Sequence, residues 1–559
     1  MSDLFTQEII KDALVAIGEE MFDAMIRTSM SPIIYETTDF AVGVTDRDGN
    51  LISQGNGVAA FLATLDTAIQ SLLEHHAPQT MKAGDIFMTN NPYEGGGTHL
   101  SDVMIMVPVF VEEALVAFTV NKAHWMEIGG TFPGSVSTIS TDIYQEGLRF
   151  SFLKLYAEGQ VNESLVQLIR DNVRLPDSTI GDMLAGVAAA RVGAARLIEI
   201  AKRYGTDDML AAMDDLLDYG ETMTRLELAK LPKGTWQAED IVEEDGLGNG
   251  PFKLCVKVTI TDDQVIADFT GSSAQAVGPI NCSYTGLVTG ARTVLKAMTN
   301  PDIPANGGSF RPLKVICPPG TVISAQEPAP VSLYYEPLIA AIEVMWKAIQ
   351  PIMPDKLPVG HMRTVGATFI SGDHPDTGAL FVMGEPLAGG WGATSKHDGD
   401  SGQFSCGNGE TYNIPVELAE SRYGFQVDQY AFDDRDGGAG EFRGGKGIIL
   451  DYRITTEQAA LTYSACRTTT RPWGANGGGE GTFNGATILR QNGVEETHTM
   501  VSNLTVKKDD VIRLHSASGG GYGNPKSRPT EKILEDLKNG FISKKVAVEI
   551  YGLDDHLVS

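Results

Sequence analysis

The residues best suited to chemistry lie in one glycine-rich stretch, DIFMTNNPYEGGGTHLSDVMIMVPVFVEEALVAFTVNKAHWMEIGG. Two of the ten histidines, His99 and His124, fall here, and Asp102 stands three residues after His99. Two imidazoles and a carboxylate form a donor set for a first-row divalent ion such as Zn, Mn or Fe. VMIMVPVF and ALVAFTV read as paired strands with a short turn at Glu112-Glu113. A hairpin centred there pairs positions that sum to about 225, so Asp102 faces about Ala123 and Ser101 faces His124. That register gathers His99, Asp102 and His124 at one end of the hairpin. A fourth ligand or a base is expected from YETTDF, where Glu36 and Asp39 precede another strand with no basic neighbour. A His-x-x-Asp pair is often only a hydrogen-bonded turn, and it is the hairpin register that favours the metal reading.

The elements that must position these groups read as α+β. Ile9, Ile10, Leu14, Ile17, Met21 and Met25 recur at helical spacing, predicting a helix over 6–28 with Thr6 as its N-cap. FAVGVTDRDGNLISQG reads as a hairpin around Asp48-Gly49. A helix over Phe61 to about His76 follows, then strands and glycine loops from Asp85 to about Thr138. Residues from about Glu163 to Leu231 are helical and alanine-rich, and Pro232-Lys233-Gly234 ends them. KLCVKVTITDDQVIADFTG predicts a hairpin around Asp262-Asp263. Helices are expected near Tyr284 to Ala297 and Pro337 to Gln350. From Ile414 strands alternate with glycine turns until a charged helix near Thr530 to Asn539. The expected division is a metal-binding α+β region over 1–162, a helical segment over 163–233, a mixed region over 234–400 and a β-rich region over 401–559.

Composition narrows the function classes. The 559 residues carry 72 acidic and 43 basic side chains, a formal net charge of -29. Nucleic-acid binding, which depends on neutralising phosphates, is disfavoured. No apolar run reaches membrane-spanning length and the N-terminus lacks a signal pattern, so a soluble cytoplasmic protein is expected. Five scattered cysteines without a CxxC pair argue against a disulfide framework and a thiolate zinc site. Residues 440–447, GEFRGGKG, match G-x-x-x-x-G-K, but Gly447 replaces the Ser or Thr that would bind magnesium, and a strand rather than a helix follows. A glycine turn is the favoured reading. His361, His374 and His397 are scattered through loops, and their spacing does not choose among them.

NNPYEGGGTHLSDVMIMVPVF, with AHWMEIGG and FPGS, resembles the hydantoinase B family, which includes the C-terminal half of 5-oxoprolinase and the acetone carboxylase alpha subunit. The resemblance continues through YETTDFAVGVTDRDG, DFTGSS, GPINCS, NGGSFRPL, DDRDGGAGEFRGGKG and GGGYGNP, nearly the whole chain. It departs at Asn91, where relatives often carry Asp. The resemblance implies an ATP-dependent opening of a small cyclic amide. A hydantoinase A-type ATP-binding subunit holds ATP and Mg and phosphorylates the carbonyl, and the B-type chain bears the metal. His99, Asp102 and His124 match the family's metal positions, and Glu36 and Asp39 fall on its acidic segment, Asp39 being the better ligand or base. A higher-order hetero-oligomer is implied. A ketone carboxylase subunit and a non-catalytic assembly subunit are the alternatives.

Overall fold

The computed structural model describes residues 4–62 and 64–557. The fold is mixed α and β, and the chain divides into two compact units. The first comprises residues 1–236, 256–341 and 407–414; the second comprises 237–255, 342–406 and 415–559.

The first unit is built on a seven-stranded sheet. Its strands are β1 (Phe40–Asp46), β2 (Leu51–Gln54), β3 (Ile86–Thr89), β4 (Asp102–Val111), β5 (Ala114–His124), β6 (Leu153–Ala157) and β7 (Gln160–Val161), in the order β2-β1-β5-β4-β3-β6-β7. β4 and β5 are central and buried on both faces, which explains why their sequences are nearly continuous apolar runs rather than alternating ones. Side chains alternate across a strand. Thr119 and Asn121 point to one face and donate to Ala190 O (2.8 Å) and Gly186 O (2.7 Å) on the helix Pro176–Tyr204. Lys122 and His124 therefore point to the opposite face. The alanine- and glycine-rich helix also packs on the N-terminal helix Leu4–Thr28. Thr6 lies inside that N-terminal helix and is not its cap. The helix expected over 61–76 is observed as Ala59–Leu62 and Leu65–His75.

The second unit holds two antiparallel sheets. One orders Leu380–Glu385, Ala367–Asp373, Gln458–Ser464 and Met500–Lys507. The other orders Phe425–Phe432, Ile448–Ile454, Val511–His515, Gly485–Leu489 and Glu495–His498. Two short helices were not expected: Val416–Arg422, in the region read as strand and turn, and Lys544–Glu549, beyond the charged helix, which is observed as Thr530–Lys538. The second joins Ile533, Ile542, Tyr551 and Leu553 in a small core.

The G-x-x-x-x-G-K segment is part of this unit's scaffold. Lys446 is buried and donates to Asp433 O (2.7 Å) and Arg435 O (3.3 Å), and the strand Ile448–Ile454 follows. A Cβ on Gly445 would lie 1.8 Å from Asp400 O, so only glycine fits where these backbones meet.

Candidate metal centre

The site forms at the end of the β4–β5 pair. The ladder near the turn follows the expected register, Phe110 opposite Leu115 and Val111 opposite Ala114. A bulge between Val109 and Phe110 then shifts it by one residue. Asp102 consequently faces His124 and not Ala123, correcting the register expected from a regular hairpin. Residues directly opposite share a face, so the bulge places the carboxylate and the imidazole together. β1 continues the row. Phe40 pairs with Ala123, and His124 N–H donates to Asp39 O at 3.0 Å. Asp39, His124 and Asp102 thus stand side by side across three strands.

His99 arrives on the glycine loop before β4. Asn91 opens this loop, accepting from Tyr93 N–H (3.1 Å) and donating to Ser151 Oγ (2.9 Å). Gly95 and Gly96 take left-handed backbone angles (φ +85° and +81°), which lets the chain fold back sharply. Three donor atoms converge. His99 Nε2 lies 3.0 Å from Asp102 Oδ1 and 3.2 Å from His124 Nδ1, and the last two atoms are 3.2 Å apart. All three side chains are buried.

The hydrogen-bond partners fix part of the proton arrangement. His99 Nδ1 lies 2.9 Å from Ser332 O. A carbonyl can only accept, so Nδ1 carries the hydrogen and a neutral ring directs its Nε2 lone pair at Asp102 and His124. Thr98 Oγ1 donates to the second Asp102 oxygen. Burial alone would raise the Asp102 carboxyl, but His99, His124 and Lys122 hold it well below the usual carboxylate range. Burial likewise opposes a charge on His99, yet Asp102 draws its pKa upward. Two ring nitrogens and a carboxylate oxygen at these spacings suit a positive charge among them, a ring proton or a metal ion. With metal–ligand bonds of about 2.1 Å, neighbouring donors lie ~3.4 Å apart in a tetrahedral site and ~3.0 Å apart in an octahedral one. The observed triangle fits a divalent ion.

Asp39 flanks the triangle, its Oδ2 3.9 Å from His124 Nδ1, with about a quarter of its side chain exposed. Burial pushes its carboxyl up to about 6, against the pull of His124. The preceding Thr38 is left-handed (φ +57°) and is tied to Glu410 O at 2.6 Å, so strain is stored beside this carboxylate. Glu36 follows the short helix Pro32–Tyr35, where its N–H donates to Pro32 O, and it makes no hydrogen bond or ion pair with the triangle.

Sequence reasoning missed four supporting groups. Lys122 shares the His124 face, two residues before it on β5. Its ammonium is fully buried, donates to Gly96 O (3.0 Å), and is pushed by burial down to about 8. The Tyr334 ring packs edge-on to His99 with centroids 4.9 Å apart. Ser332 supplies the carbonyl that orients His99. Buried Glu146 fixes Ser332, accepting from Ser332 N–H (3.0 Å), Val331 N–H (3.1 Å) and Ser140 Oγ (2.7 Å). Its carboxyl is pushed up to about 7 by burial. The alternation of β5 could have singled out Lys122. The other three lie on loops far from the hairpin in sequence or give no local pattern.

Across nearly the whole chain the sequence matches a family model, Hydantoinase B/oxoprolinase, over residues 3–525, and the chain belongs to that family. The B component of a putative D-/L-hydantoinase from Pseudomonas sp. (strain NS671) is 31% identical over 573 residues, covering 99% of this chain and 95% of that protein. The crystal structure of ATP-dependent caprolactamase from Pseudomonas jessenii superposes with a TM-score of 0.92 at 27% identity, covering 100% of this chain and 97% of that one. Nucleotide-free acetone carboxylase shares the fold, with a TM-score of 0.90 at 17% identity over 98% of this chain and 79% of that chain. Among the described residues no helix is long and apolar enough to cross a membrane.

Proposed function

We propose that this chain is the metal-bearing B-type component of an ATP-dependent cyclic amide hydrolase, acting on a hydantoin, 5-oxoproline or another lactam. The observation that carries the reading is the buried His99–Asp102–His124 triangle, whose three ligand atoms lie 3.0–3.2 Å from one another. The similarity to the B component of a hydantoinase and to an ATP-dependent caprolactamase supplies the substrate class and the need for ATP. A partner chain of the hydantoinase A type binds ATP and Mg and phosphorylates the ring carbonyl, and the two assemble into a higher-order hetero-oligomer.

An unstrained ring amide resists water because resonance protects its carbonyl, and phosphorylation of the oxygen removes that protection and creates a leaving group. His99, Asp102 and His124 hold a divalent ion, Zn or Mn foremost and Fe as a further candidate. Such an ion, when bound, lowers the pKa of water toward neutrality. Asp39, raised to about 6 by burial, accepts a proton from the attacking water and orients it. Lys122 Nζ keeps a positive charge behind the carboxylates and offsets their mutual repulsion.

The test is co-expression with an A-type chain, metal analysis, and a screen of hydantoin, 5-oxoproline and caprolactam with ATP. Ring opening coupled to ATP hydrolysis, absent from either chain alone, is expected. Product formation that depends on bicarbonate would replace this reading with a carboxylase. Ring opening by a metal-free complex would overturn the role of the triangle.

A further inference from the structure

The second unit holds a buried polar cluster of its own. Glu343 is wholly buried on the helix Tyr335–Ile349. Its carboxylate accepts from Arg467 Nη2, from Trp473 Nε1–H (3.0 Å) and from the wholly buried ring of His361 through Nδ1. Arg467 Nη2 also donates to Asp240 Oδ2 (2.8 Å), and Arg363 Nη1 lies 3.2 Å from Asp240 Oδ1. Sheet register explains why the two arginines meet. Ala367 pairs with Ser464, and Arg363 and Arg467 lie just beyond that pair, at the same end of their strands. Both hold left-handed backbone angles, φ +48° and +57°. Two arginines strained in one cluster mark backbone that the surrounding structure holds against its preference.

The carboxylates of this cluster are committed, but several donors are not. Arg363 is 0% exposed, yet its Nε and Nη2 have no hydrogen-bond partner among the described residues. These two groups form the side-on edge of the guanidinium, the fork that matches two oxygens of one planar anion. Arg467 Nε and Trp346 Nε1 are also buried without partners, and Trp346 stands one turn after Glu343 with its ring 5.0 Å from that of His361. His361 Nε2 is unpartnered too. Apart from that nitrogen, every unpaired atom here is a donor and cannot serve as an acceptor. Glu343 and Asp240 face Arg363, Arg467 and Lys347, the last 3.8 Å from Asp240, and Glu243 accepts from the Arg467 main-chain N–H. A pure structural ion-pair network has no use for an unpaired fork, because an unsatisfied buried donor costs ~1–3 kcal/mol.

We propose that Arg363, with Trp346 and His361, forms a binding site for a small anion with two coplanar oxygens, of the carboxylate or carbonate class. The fork binds both oxygens and the indole N–H donates to a remaining lone pair, while His361 Nε2, with its ring proton held on Nδ1 by Glu343, accepts, as from the hydroxyl of bicarbonate. His374 and His397 take no part, since both lie in exposed turns of their own.

The experiment is thermal unfolding of the full chain in sodium formate, sodium acetate or sodium bicarbonate, against sodium chloride at equal ionic strength. Saturable stabilisation by at least one of the three beyond chloride is expected, and comparing formate and acetate with bicarbonate distinguishes the two sources. Arg363→Lys keeps the charge but removes the fork and should weaken the apparent affinity at least tenfold. Trp346→Phe keeps most of the packing and should weaken it several-fold, which provides a readout if the arginine variant does not fold. Equal melting curves in chloride and in all three probes overturn the proposal, as does stabilisation that survives unchanged in Trp346→Phe and in a folded Arg363→Lys.

Discussion

Glu146→Gln tests whether the metal triangle depends on groups behind it. The Glu146 carboxylate gathers the Ser140 hydroxyl and the Val331 and Ser332 N–H groups, and the Ser332 carbonyl then fixes the proton of His99 on Nδ1. A glutamine keeps one acceptor oxygen. Its NH2 takes the place of Oε2, 3.1 Å from Val331 N, so Val331 N–H keeps its 3.1 Å bond to Oε1 but now faces a second donor in a buried site, and that NH2 has lost the acceptor role of Oε2. An unsatisfied buried donor costs ~1–3 kcal/mol. The loop relieves that cost by moving, and movement of Ser332 releases His99. Loss of an outer partner of a metal-binding histidine typically lowers metal affinity ~10–100-fold, or ~1.4–2.7 kcal/mol, the same range as the cost at Val331. The assay is competition for Zn and for Mn against a chelator of known affinity, with circular dichroism to verify the fold. Glu327→Gln is the control, since Glu327 pairs with Arg149 at the surface. Wild-type affinity in a folded Glu146→Gln would refute the chain of dependence from Glu146 through Ser332 to His99.

His99→Ala and His124→Ala should each leave the chain folded, reduce bound metal from about one ion per chain to a small fraction by elemental analysis, and abolish ring opening by the complex. Asp39→Asn should retain the metal yet lower turnover about 100-fold or more, within the usual worth of a general base, whereas Glu36→Gln should stay within a few-fold of wild type in the same steady-state assay. Lys446→Met should destabilise the chain by ~1–3 kcal/mol in denaturant titrations, because two buried carbonyls lose their donor, and should leave ATP binding by the complex unchanged. Asp398 is paired two-to-two with Arg528. Burial alone would raise its carboxyl, but Arg528 holds it below the usual range. Its folded pKa is therefore depressed, so its stabilisation is fully present above about pH 4 and lost as pH falls further. Asp398→Asn should flatten the acid side of the melting-temperature profile.

The triad was legible because its signals are local. An apolar run, a polar turn and a second apolar run predict β4 and β5, and their ends carry the candidate ligands. The bulge was not legible, since nothing in ALVAFTV distinguishes a residue that leaves the ladder from one that stays in it. Ser332 lies 233 residues from His99 and acts through its backbone, so no side-chain pattern reveals it. Among the loop histidines only His361 is wholly buried against a carboxylate, and its partner Glu343 sits in a helix that reads as an ordinary apolar one. The long helices were readable from periodicity to within a few residues. Val416–Arg422 and Lys544–Glu549 span two turns or fewer, too short for a period to emerge.

The bulge between Val109 and Phe110 makes the metal centre answer to a place ~24 Å along the hairpin, seven residues from the Asp102–His124 pair at ~3.4 Å each. Were the ladder regular over this same sequence, Asp102 would face Ala123, and the imidazole and the Asp102 carboxylate would face opposite sides of the sheet. No ligand would have been replaced and the hydrophobic content of the strand would hardly change. Substitutions that flatten the bulge could therefore silence this centre while every motif that marks it stays intact. A relative bearing all three ligands is competent only if its strands also keep count.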